Sequence, residues 1–99
     1  MINLVKITGF DWEDGNARKN GKHGVSTAEA EQGFFNEPLL LIADPEHSQD
    51  ESRLHALGKT DEGRTFHITF TLRNAGEKIR VISARDVHKK ERTIYEQTT

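Results

Sequence analysis

Apolar and polar residues alternate most cleanly between positions 64 and 73. Phe66, Ile68, Phe70 and Leu72 fall on one parity, and Thr65, His67, Thr69, Thr71 and Arg73 on the other. This is the two-residue period of a strand with one buried face. Similar runs at Arg53 to Lys59 and Glu77 to Ser83 flank it, joined through Thr-Asp-Glu-Gly and Arg-Asn-Ala-Gly, sequences suited to tight connections. Together they predict an antiparallel meander. A four-residue loop from Arg73 to Gly76 would pair Phe70 with Ile79 and Ile68 with Val81, and would set Thr69 opposite Arg80. A three-residue loop from Asp61 to Gly63 would place Arg53 and His55 beside Thr71 and Thr69, which keeps the Arg53 charge out of the core.

Helical signals flank the meander. Ser26 and Glu29 have capping-box spacing, and Val25 can staple to Ala30, so a helix is expected from about Thr27 to Phe35. Before it, Asp14 to Gly24 reads as a short polar helix closed by glycine. Ile2, Leu4, Val5 and Ile7 alternate in short steps and suggest an opening strand. Leu39 to Ala43, wholly apolar and bounded by Pro38 and Asp44-Pro45, reads as a buried strand, followed by a polar loop to Asp50. At the other end Ser83 and Asp86 again have capping-box spacing. They predict that the last strand stops near Ser83 and runs into a helix with Val87, Ile94 and Tyr95 on one stripe and Arg85, His88, Lys89, Lys90 and Arg92 around it.

The pattern sums to an α+β domain: two short N-terminal helices packed on a curved antiparallel sheet of about four strands, with a C-terminal helix. Ninety-nine residues are enough for one such core. The chain has no cysteine, so neither disulfides nor thiolate chemistry enter. No apolar stretch reaches the length of a signal core or membrane span, and a cytoplasmic protein is expected. The net charge of −2 hides a separation of charge. Residues 26–62 carry nine carboxylates against Arg53 and Lys59, whereas residues 64–92 carry eight cations against three carboxylates. A dipolar chain of this kind can hold a polyanion on its basic face or recruit a charged protein.

Several short blocks, in order, carry a resemblance. They are Phe10-Asp-Trp-Glu, Lys22-His-Gly-Val-Ser-Thr-Ala-Glu-Ala, Asp44-Pro with Glu51-Ser-Arg, Leu57-Gly-Lys-Thr-Asp-Glu-Gly-Arg, Phe70-Thr-Leu-Arg, and Ile79-Arg-Val-Ile-Ser-Ala-Arg followed by Glu91-Arg and Tyr95. In this combination the chain resembles the BrnT toxins, the ribonuclease half of BrnT/BrnA type II toxin–antitoxin systems. The resemblance implies a RelE-like fold, endoribonuclease activity without a cofactor or metal, and neutralisation by a BrnA-like ribbon-helix-helix antitoxin through which operator DNA is bound. It also implies that Lys22, His23, Arg64, Arg73, Arg80 and Arg85 are the basic positions of the site, with Glu91 and Tyr95 on the last helix.

Cleaving RNA without a metal requires a base for the 2′-OH proton, cations for the pentacoordinate phosphorane and an acid for the leaving oxygen. Arg64, Arg73 and Arg80 can supply bidentate contacts to phosphate. His67, His23 and Glu91 are the candidates for proton transfer, and Glu91 could instead orient an arginine. Each histidine also has a structural explanation, His67 within a strand and His23 as a cation near a helix C-terminus. Lys22, His23, Arg53 and Arg85 are candidate RNA contacts, and Trp12 could either stack on a base or pack in the core. Arg85, Lys89, Arg92 and Tyr95 are candidates for the antitoxin interface. The five histidines lack a ligand spacing for zinc, and the acidic loop lacks the order of a calcium loop. Two function classes remain open from the sequence: a ribonuclease toxin, and a non-catalytic binding module acting with an antitoxin in repression.

Overall fold

The computed structural model describes residues 7–12, 24–44, 53–73 and 76–98. They form, in order, strand β1 (Gly9–Phe10), helix α1 (Thr27–Phe35), strands β2 (Leu40–Asp44), β3 (Arg53–Lys59), β4 (Thr65–Arg73) and β5 (Lys78–Asp86), and helix α2 (Lys89–Thr98). Among the described residues the strands make one five-stranded sheet in the order β1-β5-β4-β3-β2.

The expected architecture needs correcting. The sheet is mixed, because β1 joins β5 in parallel, with Gly9 beside Lys78 and Phe10 beside Ile79. Its helices among the described residues are one mid-chain and one C-terminal, not two at the N-terminus. Parallel pairing between segments some 70 residues apart leaves no local pattern in a sequence, which is why the pairing of β1 was not legible; the opening strand expected over Ile2 to Ile7 lies almost wholly outside the described residues. The helix expected at 14–24 and the loop expected at 44–50 lie almost wholly outside the described residues. None of the described helices is long and apolar enough to cross a membrane.

The capping box at α1 forms as expected: the Glu29 N–H donates to Ser26 Oγ and the Ser26 N–H donates to Glu29 Oε1, each over 3.1 Å. Val25 and Ala30, the two ends of the staple, are both buried. The helix then presses Ala30, Gly33 and Phe34 onto the sheet. It approaches β3 backbone to backbone, since a Cβ added at Gly58 would overlap the Gly33 carbonyl and one added at Gly33 would lie 2.9 Å from Ile68 Cδ1. The main core is built there from Phe66, Ile68 and Phe70 of β4, Ile79, Val81 and Ala84 of β5, Ala56, and the α1 residues. Phe34 meets Phe70 edge to face, with centroids 5.0 Å apart.

The first hairpin keeps the expected register, with His55 opposite Thr69. The second does not. Leu72 pairs with Ile79, Thr71 with Arg80 and Phe70 with Val81, and then the ladder shifts so that Thr69 pairs with Ser83 and His67 with Arg85. The shift leaves Ile82 as the extra residue of a β-bulge. The strand therefore continues to Asp86 instead of stopping at Ser83, and the expected Ser83–Asp86 cap does not form. Helix α2 starts at Lys89, and the carboxylate that closes its first turn is Glu91, whose Oε1 accepts from the His88 N–H over 2.9 Å.

The other face of the sheet is the one that carries the polar parity of β4, Thr65, His67, Thr69, Thr71 and Arg73. In the fold α2 covers one end of it, where Leu57, Val87 and Tyr95 make a small second core with Leu40. The Tyr95 hydroxyl donates to the Pro38 carbonyl over 2.6 Å, which ties α2 to the start of β2.

Candidate active site

The bulge decides what this second face carries. Arg80 and Arg85 are five positions apart, an odd spacing that a regular strand would split between opposite faces. With Ile82 extra, both lie on the face of His67. Three cross-strand rows result. The one under α2 runs Arg85, His67, Leu57, Leu40; the next runs Ser83, Thr69, His55, Ile42; the third sets Arg80 opposite Thr71, with Arg53 on β3 two residues beyond His55.

Arg85 and Glu91 form a fork, with Nη1 donating to Oε1 over 2.8 Å and Nη2 to Oε2 over 2.9 Å. Planar pairing of this kind fixes both groups. His67 is wedged against the fork, its Nδ1 2.7 Å from Glu91 Oε2 and 2.6 Å from Arg85 Nη2. Its other nitrogen, Nε2, lies 2.9 Å from Nδ1 of His55. The His55 Nδ1 is also 3.0 Å from the Thr69 hydroxyl. A continuous chain thus runs from carboxylate through two imidazoles, their rings tilted at 63° with centroids 4.8 Å apart.

The charges in the chain follow from this packing. The two Arg85 N–H donors pull the Glu91 carboxyl down to about 2, helped by the His88 N–H and opposed by burial. His67 is pushed below its ordinary value. Burial does most of this, Arg85 and His55 add to it, and Glu91 opposes them. The resting pair is therefore a neutral His67 beside an ionised Glu91. Donation from Nδ1–H to the carboxylate is the arrangement that uses that charge, and it leaves Nε2 as an acceptor for His55.

The other expected residues are placed as follows. Arg64 lies on the α1 side of the sheet, away from His67. Its Nε and Nη2 donate to Asp86 over 2.8 and 2.9 Å, its Nη1 donates to the Gly24 carbonyl over 2.8 Å and to Glu29 over 3.3 Å, and its guanidinium sits 4.8 Å from the Phe66 ring centre. This fork holds Asp86 below and Arg64 above their ordinary values. Arg80 lies 3.9 Å from Asp11. Arg73 pairs across the sheet with Lys78. Trp12 packs against the main core and donates its Nε1–H to Glu31 over 2.8 Å. Lys89 and Arg92 are exposed on α2, Arg53 is exposed on β3, and Tyr95 is buried. Lys22 and His23 lie outside the described residues.

The structure thus brings together His67, Arg85 and Glu91, and joins to them a residue that sequence reasoning had not assigned, His55. Its signal was present in the register, since pairing His55 with Thr69 puts it diagonal to His67.

The fold and this cluster define a small α+β domain with a cationic, histidine-bearing sheet face. The family described as ribonuclease toxin, BrnT, of type II toxin–antitoxin system matches residues 12–91. The chain belongs to this family of ribonuclease toxins, whose type II systems pair the toxin with an antitoxin. None of the curated proteins matches it.

Proposed function

We propose that this protein is a metal-independent endoribonuclease that cleaves RNA by attack of the 2′-OH on the adjacent phosphate, and so arrests translation and growth. The observation that carries the reading is the Glu91–His67–His55 chain joined to the Arg85 fork, on a face that also bears Arg80, Arg73 and Arg53. Imidazoles held beside an ionised carboxylate are suited to moving the 2′-OH proton at neutral pH. Guanidiniums supply the charge that a metal would otherwise bring to the phosphorane. Cleavage by the purified protein should therefore proceed in EDTA. Loss of cleavage in EDTA, restored by a single divalent ion, would replace this reading by a metallonuclease.

The same face needs a cover in the cell. A BrnA-like ribbon-helix-helix antitoxin would meet the exposed cations of α2, Lys89 and Arg92, with acidic side chains, and operator DNA would be bound through that antitoxin. With Lys89→Glu and Arg92→Glu together, association with the adjacent-gene product at low salt should slow. An unchanged association rate would place the antitoxin elsewhere.

A further inference from the structure

We infer that His55 is the residue that exchanges a proton with the RNA, and that His67 relays it, an inference that rests on the ribonuclease reading above. The geometry leaves His67 little choice. Both of its ring nitrogens are engaged, Nδ1 by the Glu91–Arg85 fork and Nε2 by His55. To meet substrate directly, His67 would have to break its bond to His55. His55 sits in the middle row, between Arg85 on one side and the row of Arg80 on the other, where a phosphate held by those arginines would present its neighbouring ribose.

The groups around His55 are suited to the role. His67 faces it from β4, and behind His67 stand Arg85 of β5 and Glu91 of α2. Arg53 is on its own strand, and the neighbour from β2 is the apolar Ile42. Thr69 holds the ring through its hydroxyl. In the step proposed, the 2′-OH proton passes to His55 Nε2 as the 2′-oxygen bonds to phosphorus. The P–O5′ bond breaks, and its electron pair leaves on the 5′-oxygen, which takes a proton from water. His55 shifts its Nδ1 proton towards His67 Nε2, so that the positive charge is shared along the chain and ends beside the Glu91 carboxylate. The hydroxide left by the water removes the extra proton, and the products are a 2′,3′-cyclic phosphate and a free 5′-hydroxyl.

The test is a pH–rate profile of RNA cleavage for wild type, His55→Gln, His55→Ala and His67→Gln, each checked for folding by its thermal transition. Loss of a general base typically lowers the rate by about 10²–10⁴-fold. His55→Gln should lose that much together with the acidic limb of the profile. His55→Ala should regain activity in added imidazole, which a structural role would not allow. His67→Gln should keep the limb at a displaced pH. If the His55 variants do not fold, nuclear magnetic resonance of the wild type with an uncleavable 2′-deoxy dinucleotide replaces them, and the His55 ring signals should move more than those of His67. A folded His55→Gln with the wild-type limb, no imidazole rescue of folded His55→Ala, or a dinucleotide that moves His67 and leaves His55 unmoved, overturns the inference and leaves the ribonuclease reading intact. A wild-type protein that cleaves no RNA overturns both.

Discussion

The two faces of the sheet seat their helices by different physics. On one, α1 is pressed so close to β3 that glycine backbones touch, and large apolar side chains fill the space around them. On the other, α2 rests on only a few apolar side chains and is otherwise held by an ion-pair fork with a histidine beside it. Each face has an arginine–carboxylate fork near the end of β5, Arg64 with Asp86 and Arg85 with Glu91, with nearly equal distances. What differs is the company. Around Arg64 stand another carboxylate, a carbonyl and an aromatic ring; against Arg85 stands an imidazole that can change its charge. The first arrangement clamps the fold, and the second can do chemistry.

The largest separation between the faces should come from Gly58→Ala. The new Cβ would meet the Gly33 carbonyl, backbone against backbone, where no flexible side chain can yield. Overpacking of this kind costs about 3 kcal/mol or more, a large share of the stability of so small a domain. Chemical denaturation should show the loss, and a near-neutral midpoint shift would mean that α1 can slide along β3.

Next in size is Arg85→Ala, which should lower cleavage by about a hundredfold or more, as removal of one charge-stabilising donor does elsewhere. It should still fold, with a thermal transition lowered by the loss of the partly exposed fork, so cleavage is compared per folded molecule. Arg80→Ala should likewise fold and fail to arrest growth when expressed without antitoxin. Full toxicity of either variant at normal expression would take that arginine out of the mechanism.

The contrast between the faces also sets what could be read from the chain. The Ser26–Glu29 box and the strict alternation of β4 are local signals that agree with the tertiary packing, so α1, the central strand and the His55–Thr69 register were legible. The site was legible only in pieces. Arg85 and Glu91 could be named by resemblance and His67 by its place on the polar parity of β4, but a bulge at Ile82 was needed to bring Arg85 to His67, and three apolar residues at 79, 81 and 82 do not announce which of them is extra. Ser83 and Asp86 imitate a cap because cap spacing is also common in strands. The real first-turn carboxylate, Glu91, follows His88, a residue with no capping reputation.

The pH dependence of stability should be smaller and should belong to the α2 face. Glu91 sits at about 2 in the fold against an ordinary value of 4.5, so the unfolded chain binds its proton first. The fork's contribution is complete above about pH 4.5 and is lost as pH falls towards 2, an effect on the order of 2 kcal/mol after allowance for solvent. His67, also lowered, acts in the same direction at a higher pH: stability declines as pH drops below about 6.5, where the unfolded histidine takes up a proton more readily than the folded one. Denaturation midpoints measured from pH 3 to pH 8 should rise with pH, and Glu91→Gln should flatten the acidic part. An unchanged acidic slope in that variant would assign the effect to Asp86 and Glu29, which are lowered on the other face.

The smallest effect should be that of Arg64→Ala, and it is the sharpest test of the difference between the forks. The Arg64 side chain is about one-third exposed and Asp86 more than half, so solvent screens their attraction. Removing the guanidinium should destabilise the fold by about 1 kcal/mol, or roughly 4–8 °C in the thermal transition of a domain this small. Cleavage per folded molecule should stay near the wild-type rate, because the Arg64 donors point to Asp86, Glu29 and the Gly24 carbonyl on the far side of the sheet from His67 and His55. Assaying Arg64→Ala and Arg85→Ala side by side at a temperature where both are fully folded separates clamp from chemistry. A hundredfold loss in Arg64→Ala under those conditions would show that substrate pulls Arg64 away from Asp86 and recruits it, and the two forks would then be two ends of one RNA path.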